Sequence, residues 1–99
     1  MTNPVRFLAL AAVAALAGCD SPGPFFAPAP ATRVTVDGSE FSVRRRNEKA
    51  QAIRLNRERR DGVMRRAHEA IEIATGCIVV PGTLRGDPAL VRATVYCAP

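Results

Sequence analysis

The chain has 99 residues, with 14 basic side chains against 9 acidic ones, a single His, three Cys and no Trp. That length holds one small domain and argues against a multi-domain receptor, a polytopic membrane protein or an enzyme built around its own deep pocket. The 47% apolar fraction is an average over two unlike parts, because much of it lies in the first 18 residues.

Met1 to Arg6 carries one positive charge, and Phe7 to Ala17 is an uninterrupted apolar run that ends at Gly18 and Cys19. A basic start followed by a short apolar stretch and small residues is the layout of an export signal. As a helix the run would be about 16 Å long at ~1.5 Å per residue, well short of the ~30 Å hydrocarbon core that a permanent span crosses.

Leu16-Ala17-Gly18-Cys19 resembles the lipobox of bacterial lipoproteins, in which an aliphatic residue and two small residues precede an obligatory Cys. The resemblance implies that residues 1–18 are a signal peptide, that Cys19 becomes the first mature residue, and that its thiol carries a diacylglyceryl group, usually with a further acyl chain such as palmitate on the new amino terminus. Two or more chains hold a protein stably on a bilayer, whereas one binds reversibly. The implied location is the bacterial cell envelope, lipid-anchored and facing the periplasm. Asp20 resembles the enterobacterial signal for retention in the inner membrane. The resemblance covers the signal and the anchor and says nothing of the domain beyond them.

Residues 19–32 form the next unit, the anchor Cys followed by a Pro-rich stretch. Pro22, Pro24, Pro28 and Pro30, half of the eight prolines, suggest an extended tether reaching up to roughly 40 Å at ~3.1 Å per residue. Phe25-Phe26 breaks its polar character and is expected either to dip into the lipid interface, to dock on the domain, or to do neither.

The domain is expected over residues 33–99. Val34 and Val36 alternate with polar residues, Asp37-Gly38 supplies a two-residue turn, and Phe41 and Val43 resume the alternation, which predicts a hairpin with all four side chains on one face. Lys49 to Asn56 has helix-forming composition but strand-like alternation of Ile53 and Leu55, and is read as a third strand. A turn of three or five residues around Asn47 would place Ile53 and Leu55 on the face of Phe41 and Val43. A helix follows, with Val63, Ala67, Ala70, Ile71 and Ala74 on one stripe, Asp61 as its cap, Gly76 as its stop, and Arg65, Arg66, Glu69 and Glu72 off the stripe. Cys77 to Val80 and Leu90 to Cys97 then read as two strands joined by a loop rich in turn residues. The expected fold is α+β: a three-stranded antiparallel meander, one helix and a C-terminal hairpin.

With Cys19 assigned to lipid, Cys77 and Cys97 remain, and an oxidising compartment favours their pairing. If Val80 lies opposite Thr94, Cys77 falls opposite Cys97, close enough to bridge. A redox pair of Cys-x-x-Cys type does not fit thiols this far apart, and a zinc site needs more ligands than two thiols and one imidazole. No cofactor and no metal site is therefore expected. His68 reads as a helix-flank residue, and Ser39 and Ser42 have no neighbouring base, so no catalytic residue and no small-molecule substrate is proposed. Arg85-Gly86-Asp87 spells an adhesion tripeptide but is read as a turn.

Positive charge concentrates between Arg44 and Arg66, where Arg44, Arg45, Arg46, Arg54, Arg57, Arg59, Arg60, Arg65 and Arg66, with Lys49, face only Glu48, Glu58 and Asp61. Arginine offers a fork of donors matched to phosphate and carboxylate, so this stretch suits anionic lipid headgroups, lipopolysaccharide or an acidic envelope protein. It equally suits a merely solvated face. An exported location argues against nucleic acid. The sequence thus points to a lipid-anchored envelope protein acting as a structural or interaction module, or as a binder of anionic envelope components.

Overall fold

The structure, a computed structural model, describes residues 21–57 and 61–98. The export-type segment, Cys19, Asp20, Arg59 and Arg60 lie outside the described residues. Six strands and one helix follow in the order β1 (Thr32–Val36), β2 (Ser39–Arg46), β3 (Lys49–Arg54), α1 (Val63–Thr75), β4 (Ile78–Val79), β5 (Arg85–Gly86) and β6 (Leu90–Tyr96). The domain is α+β. The sheet is antiparallel with spatial order β1-β2-β3-β6-β4, and β5 also pairs with β6.

The first hairpin has the expected register, Val34 opposite Phe41 and Val36 opposite Ser39, with Asp37 and Gly38 both at positive φ in the turn. The third strand is also present, but its register differs from expectation. The β2–β3 loop is only Asn47-Glu48, with Arg46 opposite Lys49, because Asn47 takes the left-handed conformation at φ 56° that lets two residues close a hairpin. Ala52 therefore faces Val43, while Ile53 faces Ser42 on the opposite side of the sheet. A one-residue change of register turns every side chain over.

The helix packs on the side carrying Val36, Phe41, Val43, Ala50, Ala52, Val91, Ala93 and Val95. Val63, Ala67, Ala70 and Ile71 are the helix residues buried there. Alanines on both surfaces let the backbones approach, and Phe41 and Ile71, both fully buried, fill the space between; burial of a side chain this size contributes about 1.5–3 kcal/mol. Gly76 ends the helix as expected, its N–H donating to Glu72 O. The start differs: the cap is Gly62, at φ 79° and without a side-chain cap bond. Arg66, expected off the apolar stripe, is instead 8% exposed. Its Nε donates to the buried Ser39 Oγ at 2.7 Å and its Nη1 to Asp61 O at 2.9 Å, so the guanidinium ties the first helical turn to β2. A Cβ at position 62 would come within 3.0 Å of that Nη1, a further reason for glycine there.

The C-terminal hairpin has the expected register. Val79 lies opposite Val95 and Ile78 opposite Tyr96, and Cys77 and Cys97 are disulfide-bonded with Cα atoms 4.4 Å apart. The ladder on this side of β6 is interrupted after Val80 and resumed by β5. Thr83 spans the gap: its Oγ1 accepts from Thr94 N at 3.1 Å and donates to Val80 O at 2.7 Å. Gly86 lies so close to β6 that a Cβ would sit 2.2 Å from Leu90 O, and its φ is 120°, so only glycine serves. Asp87 closes the following turn, its Oδ1 accepting from Ala89 N and Leu90 N; Arg85-Gly86-Asp87 is a strand end and a turn.

The Pro-rich segment does not run free of the domain. From Pro22 onward it lies on the face of the sheet opposite the helix. Gln51 Nε2 donates to Pro22 O and Arg46 Nη1 to Phe25 O, both at 2.9 Å. Ala27 N and Ala29 N donate to Gly23 O and Phe26 O, folding the segment into turns. Phe26 is 6% exposed and stands apart from the helix-side cluster. Of the alternatives open for Phe25-Phe26, docking on the domain is the one observed. It also explains why Ala50, Gln51, Ala52 and Ile53 are all buried: β3 is covered on both faces, so its sequence does not alternate cleanly.

Three outcomes test this packing. The double variant Cys77→Ala/Cys97→Ala should lose about 3 kcal/mol of stability in urea unfolding, the chain-entropy value for a loop of this size; an unchanged midpoint would show that the bond constrains nothing. Ser39→Ala should cost about 1–3 kcal/mol, because it leaves a buried guanidinium donor without its acceptor, read in the same experiment. Phe26→Ala should raise amide exchange at Ala27 and Ala29 by tenfold or more, about 1.4 kcal/mol of local opening, while amides at the β2–β3 centre keep their protection.

Candidate anion-binding face of the sheet

Residues opposite one another across a sheet project to the same side, so the strand register sorts the cationic residues. On the side away from the helix, Arg44, Gln51, Arg92 and Arg85 form one cross-strand row, and Arg46, Lys49 and Thr94 the next. These two rows gather five cations on one face; Arg33, opposite Ser42 on the same side, is paired there with Glu40 at 3.4 Å. Arg46 holds the docked segment through Phe25 O and places its guanidinium carbon 4.7 Å from the centre of the Phe25 ring, a cation–π contact. The Phe25 ring packs edge-to-face on Phe26, with centroids 4.9 Å apart, and remains 45% exposed. Lys49 Nζ donates to Thr94 Oγ1 at 3.0 Å.

Between the docked segment and β5–β6 lies an open groove of about 910 Å³, with Pro22, Phe25 and Phe26 on one wall and Lys49, Arg85 and Arg92 among the polar groups lining it. Arg85, Arg92 and Lys49 are exposed. Among the described residues the side chains of Arg85 and Arg92 carry no hydrogen bond or ion pair. Asp87 is the acidic residue of the lining, and one of its oxygens is engaged by the backbone of its own turn. An apolar wall beside unpaired guanidinium groups suits a ligand with an anionic group and an apolar body.

The continuous Arg44 to Arg66 stretch does not fold into one surface. Arg44 and Arg46 belong to the face just described. Arg45 alternates to the other side, where it is exposed and its Nη1 donates to Asn47 O. Arg54 follows the register of Phe41, and Arg57 is exposed in the connection to the helix. Arg65 is paired with Asp37 at 3.2 Å and Glu69 at 3.4 Å. Arg66 is buried and belongs to the core architecture. Conversely Arg85 and Arg92, which share the face with Lys49, lie outside the cationic stretch read from the sequence. The available signal was period-2 alternation in β2 and β6, which separates Arg44 and Arg46 from Arg45 and leaves Arg92 opposite in phase to Val91 and Ala93.

Elsewhere, His68 lies on the helix flank as expected, with Nε2 3.3 Å from Glu72 Oε2. That same carboxylate oxygen accepts from Val79 N at 2.9 Å, so Glu72 ties the helix to β4. Among the described residues no group of three His, Cys, Asp or Glu side chains gathers where a metal would be held, and no helix is long and apolar enough to cross a membrane. Compared with known proteins, the chain matches no family model, no curated protein and no solved structure.

Proposed function

We propose that this chain is a lipid-anchored protein of the bacterial cell envelope, facing the periplasm, whose disulfide-tied domain works by contact as a structural or interaction module. The reading rests on Leu16-Ala17-Gly18-Cys19 behind a short apolar run. The cysteine arithmetic supports it. Cys77 and Cys97 are bonded to each other, which leaves Cys19 as the one thiol for another use, and a disulfide of this kind suits an oxidising compartment. The role is non-catalytic and needs no cofactor.

A second reading, a binder of anionic envelope components, is favoured by a specific observation: five cations on one sheet face beside an apolar-walled groove. That face replaces the longer Arg44 to Arg66 stretch as its basis.

Metabolic labelling with a radioactive or clickable fatty acid tests the anchor. Wild type should incorporate label into the mature chain and fractionate with membranes, and Cys19→Ala should fall to background while keeping its leader. Equal labelling of the two would overturn the reading.

A further inference from the structure

We infer that the outer face of the sheet is a membrane-apposed surface, and that its groove receives the anionic phospholipid headgroups of the bilayer in which the chain is anchored. The inference rests on the lipid anchor proposed above and goes beyond it by fixing which face meets the membrane. The first argument is chain length. Pro22 is already held on the outer face, its carbonyl bonded by Gln51, and only Asp20 and Ser21 separate it from Cys19. Three residue steps span at most about 10 Å. A lipid on Cys19 therefore enters the bilayer within that distance of the groove, and the domain has no spacer with which to turn this face away.

The second argument is charge. Two pairs of like charges sit directly opposite each other on this face, Arg46 with Lys49 and Arg85 with Arg92. Directly opposed like charges destabilise a sheet. Arg46 is drawn off to Phe25 and Lys49 to Thr94, but the Arg85 and Arg92 side chains form no ion pair among the described residues, and the one acidic residue of the groove lining, Asp87, is turned to its own backbone. A headgroup phosphate between them would offset that repulsion and match the donor geometry of guanidinium. The third is the apolar rim. Phe25 is one of the few large apolar side chains exposed on the domain, and it stands at the groove beside Arg46, the aromatic-plus-cation composition of surfaces that settle into a headgroup layer. An acyl anchor joined to a basic patch is the usual two-signal route to stable membrane attachment.

The test uses full-chain protein, extracted from the envelope with its anchor and carrying Phe25→Trp as the sole indole. It is reconstituted into vesicles of brominated phosphatidylcholine with or without a third of phosphatidylglycerol. Flotation reads the anchor, and quenching of the indole reads apposition. Quenching should be several-fold stronger with phosphatidylglycerol and should relax in 0.5 M salt. Each basic group near an anionic surface is worth about fivefold. Lys49→Gln/Arg85→Gln/Arg92→Gln together should thus shift the balance by roughly a hundredfold and return quenching to the level of neutral vesicles. Arg45→Gln/Arg57→Gln/Arg65→Gln removes the same charge from elsewhere and should leave quenching unchanged. Protein that fails to float with neutral vesicles would overturn the anchor and this inference with it. Protein that floats while its indole is barely quenched on either vesicle would overturn the membrane-apposed face, and quenching that ignores phosphatidylglycerol, or responds equally to both triple variants, would overturn the anionic-headgroup groove; either result leaves the anchor standing.

Discussion

The two-residue turn at Asn47-Glu48 sets the register on which the rest of the domain depends. With Arg46 opposite Lys49, β3 presents Ala50 and Ala52 to the helix and Gln51 and Ile53 to the other side. The alanines let α1 lie close to the sheet, while Gln51 becomes the donor that captures Pro22. A turn one residue longer would place Ile53 against Phe41 and Ile71, where there is no room for it, and would send the Gln51 amide into an apolar interior. Burying an amide without partners costs on the order of 1–3 kcal/mol, a large fraction of what a domain of this size has in hand. Register is therefore enforced from both faces at once.

The same domain shows how a short chain compensates for a small core. Its helix interface is built largely from alanine and valine, which bury less area than leucine or phenylalanine would. Three polar or covalent ties supplement it: the Cys77–Cys97 bond, the Arg66–Ser39 contact and the Glu72 carboxylate on Val79 N. Each joins the helix or its exit to a different strand, β6, β2 and β4 respectively. Arg66 is the least expected of them. Its long aliphatic stem can lie along the core while its head reaches a hydroxyl and a backbone carbonyl, so a charged residue serves as a core residue.

Much of this was legible in the residues. Asp37-Gly38 between alternating valines and phenylalanine specified the first hairpin to the residue, and the spacing of Cys77 and Cys97 specified the last. The register of β3 was not, because hydrophobicity ranks Ile53 and Leu55 above Ala50 and Ala52, whereas packing against Phe41 and Ile71 selects by size. The docked Pro-rich segment was missed for a related reason: prolines and isolated phenylalanines have no periodicity, and nothing local to residues 22–30 says that Gln51 and Arg46 await them. The charge reading failed where it treated neighbours in sequence as neighbours in space. In a strand, Arg44 and Arg45 point to opposite sides, and in a helix Arg65 and Arg66 can differ as widely as solvent and core.

That last distinction changes what the basic character of the chain means. A net charge spread evenly over a small domain acts mainly on solubility and long-range attraction. Here the strand register gathers Arg44, Arg46, Lys49, Arg85 and Arg92 on one side, while Arg65 is compensated by Asp37 and Glu69 and Arg66 is consumed by the fold. The domain is consequently polar in the directional sense, with five cations in two adjacent rows of its outer face. Docking of residues 22–29 on that same face brings the start of the chain to the positive side rather than to the helix side. Any attachment made just upstream of Pro22 is then made beside these cationic rows, so the packing of the N-terminal segment couples how the chain is held to which surface it presents.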